Sequence, residues 1–201
     1  MGPQAQIFLD SEGLAWLKRN KAKLPPKEDP VLEAISRLKA PHRVLEIGCA
    51  NGWRLKELRK RYSCECHGID PCITHYHTVD GINLYRGTAD SLHPFRDKYF
   101  DLVIYGFCLY LCDPEDYFKI AIEGDRVLQN SSYMAIYDFI EPKPTISLYK
   151  HHSAIRSHKM DFATLWDWNP YYRRLMVIDS ADGTGVSVLG KDSDNAFRVM
   201  K

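Results

Sequence analysis

Apolar and polar positions follow two alternating rhythms along the chain. In SEGLAWLKRNKA (residues 11–22), Leu14, Trp16 and Leu17 provide the apolar contacts of a short helix, and LPPKEDP (24–30) breaks it, because proline removes a donor and clashes inside a helix. Asp29 is placed to cap a second helix, with Pro30 at its first position and Val31, Leu32, Ile35 and Leu38 at helical spacing. Residues 43–47 form a short apolar strand. WRLKELRKRY, a little further on, is a basic amphipathic helix with Leu55 and Leu58 inward. CECHGID (64–70) and INLYRGTAD (82–90) read as strands that end at aspartates. FDLVIYGFCLYL (100–111) is apolar throughout, as a central parallel strand buried on both faces requires. A helix over 113–129, with Asp113 as cap and Pro114 in its first turn, and a strand over 132–140 follow.

Strands alternating with helices imply right-handed crossovers and a parallel sheet covered on both faces. After residue 173 the rhythm changes to strands joined by Gly- and Asp-rich turns, with no helix between them. The expected class is therefore α/β, a mostly parallel seven-stranded sheet with helices on both faces and a C-terminal antiparallel hairpin. No repeat, low-complexity tract or long linker divides the chain. One domain is expected, in four parts: a helical cap (1–30), a core (31–140), an insertion (141–173) and the hairpin (174–201).

Composition narrows the partners. The 201 residues are 45% hydrophobic and 26% charged, with a net charge of +1. No basic run supplies an electrostatic footprint for nucleic acid, so none is expected as partner. No apolar run reaches the ~18 residues that span a bilayer, so no membrane is expected. MGPQAQIFLDSEG lacks a basic region followed by an apolar one, which points to the cytoplasm. In that compartment the six cysteines are expected as free thiols. Cys49, Cys108 and Cys112 sit in apolar segments and read as small core residues. Cys64, Cys66, His67, Cys72, His75 and His77 are zinc-type ligands, but their spacing matches no paired motif, and no metal is assigned.

VLEIGCANGW (44–53) raises the question of chemistry. Gly48 and Gly52 bracket the turn between a buried strand and its helix, where backbone lacking Cβ atoms can approach a ligand and the helix N-terminus favours a carboxylate or phosphate. A dinucleotide site would want G-x-G-x-x-G, but Ala50 and Trp53 stand at its second and third glycines, which counts against a nicotinamide-dependent oxidoreductase. Asp70 closes the next strand eighteen residues past Gly52, where an acid commonly accepts from two ribose hydroxyls. Asp90 follows twenty residues later in GTADSL, and Glu46 precedes the first glycine. Each taken singly also fits an ordinary turn, cap or strand end.

The segments VLEIGCANGW, HGIDP, GTADSLHPF, FDLVIYGFCLYLCDPEDYFKIAIEGDRVLQ and YMAIYDFIEP, in that order, resemble the class I S-adenosylmethionine-dependent methyltransferases over roughly residues 31–140. The resemblance implies a Rossmann-like fold, an enzyme, and S-adenosyl-L-methionine as cofactor. It implies that Glu46, Gly48, Cys49, Ala50 and Gly52 shape the site for the methionine portion and that Asp70, with Pro71, holds the ribose. Ala89, Asp90 and Ser91 would face the adenine, and Phe107 would sit near the methyl group. Ala50 stands where many members carry a second glycine. SEGLAWLKRNK resembles helices of methyltransferases encoded with bacterial surface-sugar genes, and by that likeness Trp16, Arg19 and Asn20 would cover the cofactor.

Methyl transfer needs a general base only where the acceptor must lose a proton. Candidates are His151, His152 and His158 in the insertion, with Tyr137 and Asp138 at the end of the fifth strand. Arg156, Lys159 and Arg173 suit an acidic substrate, and Trp166, Trp168, Tyr171 and Tyr172 either wall a pocket or pack the insertion down. The family's D/N-P-P-Y/F turn is absent after the fourth strand, which disfavours nucleobase amino groups. The expected acceptor is a hydroxyl or amine of a small molecule, such as a sugar, nucleotide-sugar or other metabolite. A nucleotide-binding oxidoreductase and a non-catalytic subunit that kept the fold are the alternatives.

Overall fold

The computed structural model describes residues 1–192; the end of the expected hairpin, 193–201, lies outside them. β1 (Arg43–Ile47) buries four consecutive residues because helices cover both of its faces. The sheet has eight strands in the order β3 (His77–Val79), β4 (Ile82–Arg86), β2 (Glu65–Asp70), β1, β5 (Phe100–Gly106), β6 (Leu128–Phe139), β10 (Thr184–Lys191), β9 (Tyr172–Asp179). From β4 to β6 the neighbours are parallel, and β10 runs antiparallel to both β6 and β9. Seven of these are the expected strands, closed by the expected hairpin. The eighth, β3, is a three-residue antiparallel edge on β4.

The two-residue period of the strands sorts their side chains into two cores. Val44, Leu102, Ile104, Val186 and Val188 meet Val31 and Ile35 of α3 (Pro30–Ser36) and Leu55 and Leu58 of α4 (Trp53–Tyr62). On the other face Leu45, Ile47, Val103, Tyr105 and Met134 meet Ile120 and Val127 of α5 (Tyr117–Val127) and Phe162 and Trp166 of a short 3₁₀ turn. Each such side chain contributes about 1.5–3 kcal/mol on burial. Trp166 lies fully buried, its ring 5.3 Å from Tyr105, so it fastens the insertion to the sheet; Trp168, two residues on, is half exposed against Phe118.

Local signals set some boundaries as expected. Asp29 accepts the Leu32 N–H at 2.8 Å and Pro30 opens α3. Others moved. The N-terminal helix begins at Pro3, not at residue 11: α1 (Pro3–Ile7), a π turn (Phe8–Glu12) and α2 (Gly13–Asn20) run on from one another. Asp113 does not cap its own helix; its carboxylate accepts the Gln4 and Ala5 N–H groups of α1 at 3.0 and 3.1 Å, and α5 starts only at Tyr117. β5 stops at Gly106, because Phe107 takes a φ of +61° and turns the chain into a 3₁₀ segment, Leu109–Leu111. β4 ends at Arg86, short of Asp90, and β6 begins at Leu128, directly after α5. The insertion holds a separate two-stranded hairpin, β7 (Thr145–Leu148) with β8 (Arg156–Lys159). Among the described residues, no helix is long and apolar enough to cross a membrane.

Candidate functional site

The turn from β1 to α4 places three residues in left-handed backbone: Gly48 (φ +75°), Ala50 (+49°) and Gly52 (+74°). At Gly48 a Cβ would fall 2.7 Å from Cys108 Cβ, so only glycine lets the turn close against the end of β5. Asp70 ties this turn to the end of β2. Its Oδ2 accepts the Ala50 N–H at 2.8 Å and its Oδ1 accepts the Cys72 N–H at 2.7 Å. Burial lifts the Asp70 carboxyl above its ordinary value, while those backbone donors pull it down.

Around this acid opens a cleft enclosing about 800 Å³, solvent at its mouth included. It lies where the strand order reverses beyond the carboxyl ends of β1, β2 and β5, the usual ligand position in such sheets. Gly48, Asp70, Pro71, Ala89, Asp90 and Phe107 line it, as does Trp16 from the N-terminal helix. That helix comes close at Gly13, where a Cβ would sit 3.0 Å from the Cys72 nitrogen. Asp90 is buried; burial works to raise its carboxyl, but Thr88 Oγ1 at 2.6 Å and Lys119 Nζ at 3.0 Å hold it below the ordinary value.

Glu46 sits behind the turn, paired with Arg54, which also meets Asp29 at 2.9 Å. Burial lifts the Glu46 carboxyl to about 7 despite Arg54. Its Oε2 is buried without a hydrogen-bond partner. A buried acceptor left in that state is costly.

The remaining expected residues lie off the cleft lining. Cys49 is buried, and Ala50 and Gly52 serve the turn's backbone. Ser91 Oγ lies 3.2 Å from His93 Nδ1. Arg19 pairs with Glu12 and donates to the Tyr149 hydroxyl at 3.1 Å, joining α2 to the insertion. Asp138 is buried and spends its carboxylate on backbone: Oδ2 accepts the N–H groups of Leu109 and Tyr110 at 2.8 and 3.3 Å. Burial pushes it up to about 7 against these donors. Tyr137 lines a different groove, with Asp29, Trp53 and Thr184. None of the three histidines is among the cleft-lining residues. His151 packs edge-on against Tyr149, His152 Nδ1 accepts the Ala154 N–H at 3.3 Å, and His158 faces the edge of Tyr117. Among the described residues, no group of three or more His, Cys, Asp and Glu is arranged to hold a metal ion.

The cleft also takes residues that the sequence did not single out: Phe8, Thr88, Asp113, Asp116, and the thiols of Cys108 and Cys112. The two cysteines read as core because they follow an apolar run; half-buried, they pack against the core and line the cleft as well. Asp113 carried a visible signal, but one that pointed to its own helix.

Known proteins share this fold. Residues 45–136 match the methyltransferase domain family. Among solved structures, the chain resembles Burkholderia thailandensis 1,6-didemethyltoxoflavin-N1-methyltransferase, with bound 1,6-didemethyltoxoflavin and S-adenosylhomocysteine. The match is at 12% identity over 96% of this chain and 92% of that one, with a TM-score of 0.71. It also resembles a SAM-dependent methyltransferase of Archaeoglobus fulgidus (20% identity, 90% and 100% covered, TM-score 0.60) and one of Methanosarcina mazei (17%, 82% and 98%, 0.58). No curated protein matches the chain by sequence. Residues 45–136 thus carry a match to a methyltransferase domain on a fold shared with these enzymes, which supports an enzyme of methyl transfer with S-adenosylmethionine as its cofactor.

Proposed function

We propose that the protein is an S-adenosylmethionine-dependent methyltransferase acting on a hydroxyl or amine of a small molecule, and that the cleft around Asp70 is its cofactor site. The observation that carries the proposal is the Asp70 carboxylate, half-buried at the end of β2 and fixed by N–H groups on either side, with lone pairs left for two vicinal hydroxyls. Gly48 lines the cleft where the turn closes against β5, and the orphaned Glu46 Oε2 behind it suits an ammonium group. Thr88, Ala89 and Asp90 suit the base end, and Trp16 with Phe8 suits a cover. Bound there, S-adenosylmethionine supplies an electrophilic methyl group on sulfonium sulfur.

The chain's own task is then to hold, orient and keep water away. The N-terminal helix suits the last role, anchored by Asp113 at one end and by the Glu12, Arg19 and Tyr149 contacts at the other. The insertion suits the acceptor side, since β8 packs beside the 3₁₀ segment after β5. The Burkholderia relative, which binds 1,6-didemethyltoxoflavin, supports a small-molecule acceptor. Incubation with methyl-labelled S-adenosylmethionine and pooled metabolites tests this reading: label enters a low-molecular-weight product. Label found only in macromolecules contradicts it.

A further inference from the structure

Phe107, in the cleft lining, packs against three further rings outside that lining, and the cofactor reading leaves the group unexplained. Phe107 lies 4.8 Å from Tyr110, 5.1 Å from Tyr137 and 5.4 Å from Phe139, centroid to centroid, and all four rings are half-buried. The group is built by alternation: Tyr137 and Phe139 share one face of β6, while Asp138 between them points away and holds the loop that carries Tyr110. The hydroxyls are already engaged, that of Tyr110 towards Trp16 and that of Tyr137 towards Thr184. Ring faces and edges are what remain for a ligand.

Two further features give the group a direction. Phe107 holds a φ of +61°, a conformation that bulky side chains seldom adopt and that costs on the order of 1–3 kcal/mol. The strain sits at the one ring that both lines the cofactor cleft and touches the other three. Lys159, at the end of β8, stands with Nζ 4.4 Å from the Phe139 centroid, and among the described residues no carboxylate pairs with it. Next to the cleft, reached through Phe107, lie aromatic surface and one uncompensated cation.

We propose that Phe107, Tyr110, Tyr137 and Phe139, with Lys159, form the acceptor seat, and that it takes a flat aromatic or heteroaromatic ring bearing a negative charge. This rests on the cofactor reading above and narrows the acceptor away from the unadorned sugars that the sequence suggested. Offset and edge-on stacking favour a planar ring, and the ammonium favours an anion. The seat also accounts for the cleft having no histidine in its lining. An acceptor that arrives as a phenolate, an enolate or a deprotonated ring nitrogen has no proton to lose: its lone pair forms the bond to the methyl carbon, and the C–S pair stays on sulfur.

Calorimetry tests the seat without turnover. The protein, first saturated with S-adenosylhomocysteine, is titrated with 2-naphthoate, neutral 2-naphthamide and saturated decahydro-2-naphthoate. The planar anion should bind at least about tenfold more tightly than either of the others. Lys159→Gln should abolish the preference for charge and Phe139→Leu weaken the preference for planarity, both with S-adenosylhomocysteine affinity kept. Equal binding of the three probes, or binding of none, with S-adenosylhomocysteine still bound overturns the seat and leaves the cofactor site standing. Failure of S-adenosylhomocysteine to bind at all overturns both.

Discussion

The Asp70 Oδ2 accepts the Ala50 N–H at 2.8 Å, so the acid that ends β2 also fixes the turn that follows β1. Neither residue holds its position alone. Ala50 sits at a left-handed φ of +49°, and Asp70 is a half-buried carboxylate partly withdrawn from water; each offsets part of the other's cost. The cleft is built on this joint between two neighbouring parallel strands.

Gly48 sets how closely that joint can fold against β5. In Gly48→Ala the new methyl group meets Cys108 Cβ in a backbone region that alanine resists. A loss of at least ~1 kcal/mol is expected, together with weaker S-adenosylhomocysteine binding. Urea denaturation and calorimetry check the two effects, and a variant with the wild-type midpoint and affinity contradicts the account.

Asp113 holds the start of the N-terminal helix from across the cleft. Asp113→Ala frees the Gln4 and Ala5 N–H groups, a loss equivalent to a helix cap, ~0.5–2 kcal/mol. The expected results are faster amide exchange at those two residues and faster S-adenosylhomocysteine release, with the sheet's exchange unchanged. Wild-type exchange at Gln4 and Ala5 would show that the helix is held by other means.

Asp138 makes stability depend on pH. Its folded carboxyl is raised to about 7 by burial, above an unfolded value of ~3.9, so the folded state holds the proton more tightly. Stability therefore falls as pH rises from ~4 to ~7, by at most ~1.4 kcal/mol per unit for this group, and levels off above. Asp138→Asn is expected to flatten that slope in urea midpoints measured from pH 4.5 to 7.5. Equal slopes in variant and wild type would remove Asp138 as the cause.

Local patterns made the turn after β1 and the acids around it legible. The left-handed turn announced itself through Gly48 and Gly52, the acids through their places at strand ends, and the Asp29 cap through a bond only three residues long. The N-terminal helix and the insertion were harder. Asp113 looks like a cap for the helix it precedes, and its true partners are 108 and 109 residues away. Trp166 and Trp168 share one short motif, yet one is fully buried and the other 52% exposed, a difference set by which face of the turn meets Tyr105. The polar run around His151 gave no strand period strong enough to reveal the β7–β8 hairpin. The histidines stood out by type, whereas their distance from the cleft lining depends on tertiary packing.

Titration of S-adenosylhomocysteine into wild type and Asp70→Ala tests the cofactor site most directly. Losing a charged acceptor for two hydroxyls is worth roughly 1.5–3 kcal/mol, so Kd should rise on the order of ten- to a hundredfold while the variant stays folded. A folded Asp70→Ala protein that binds as tightly as wild type would contradict the account.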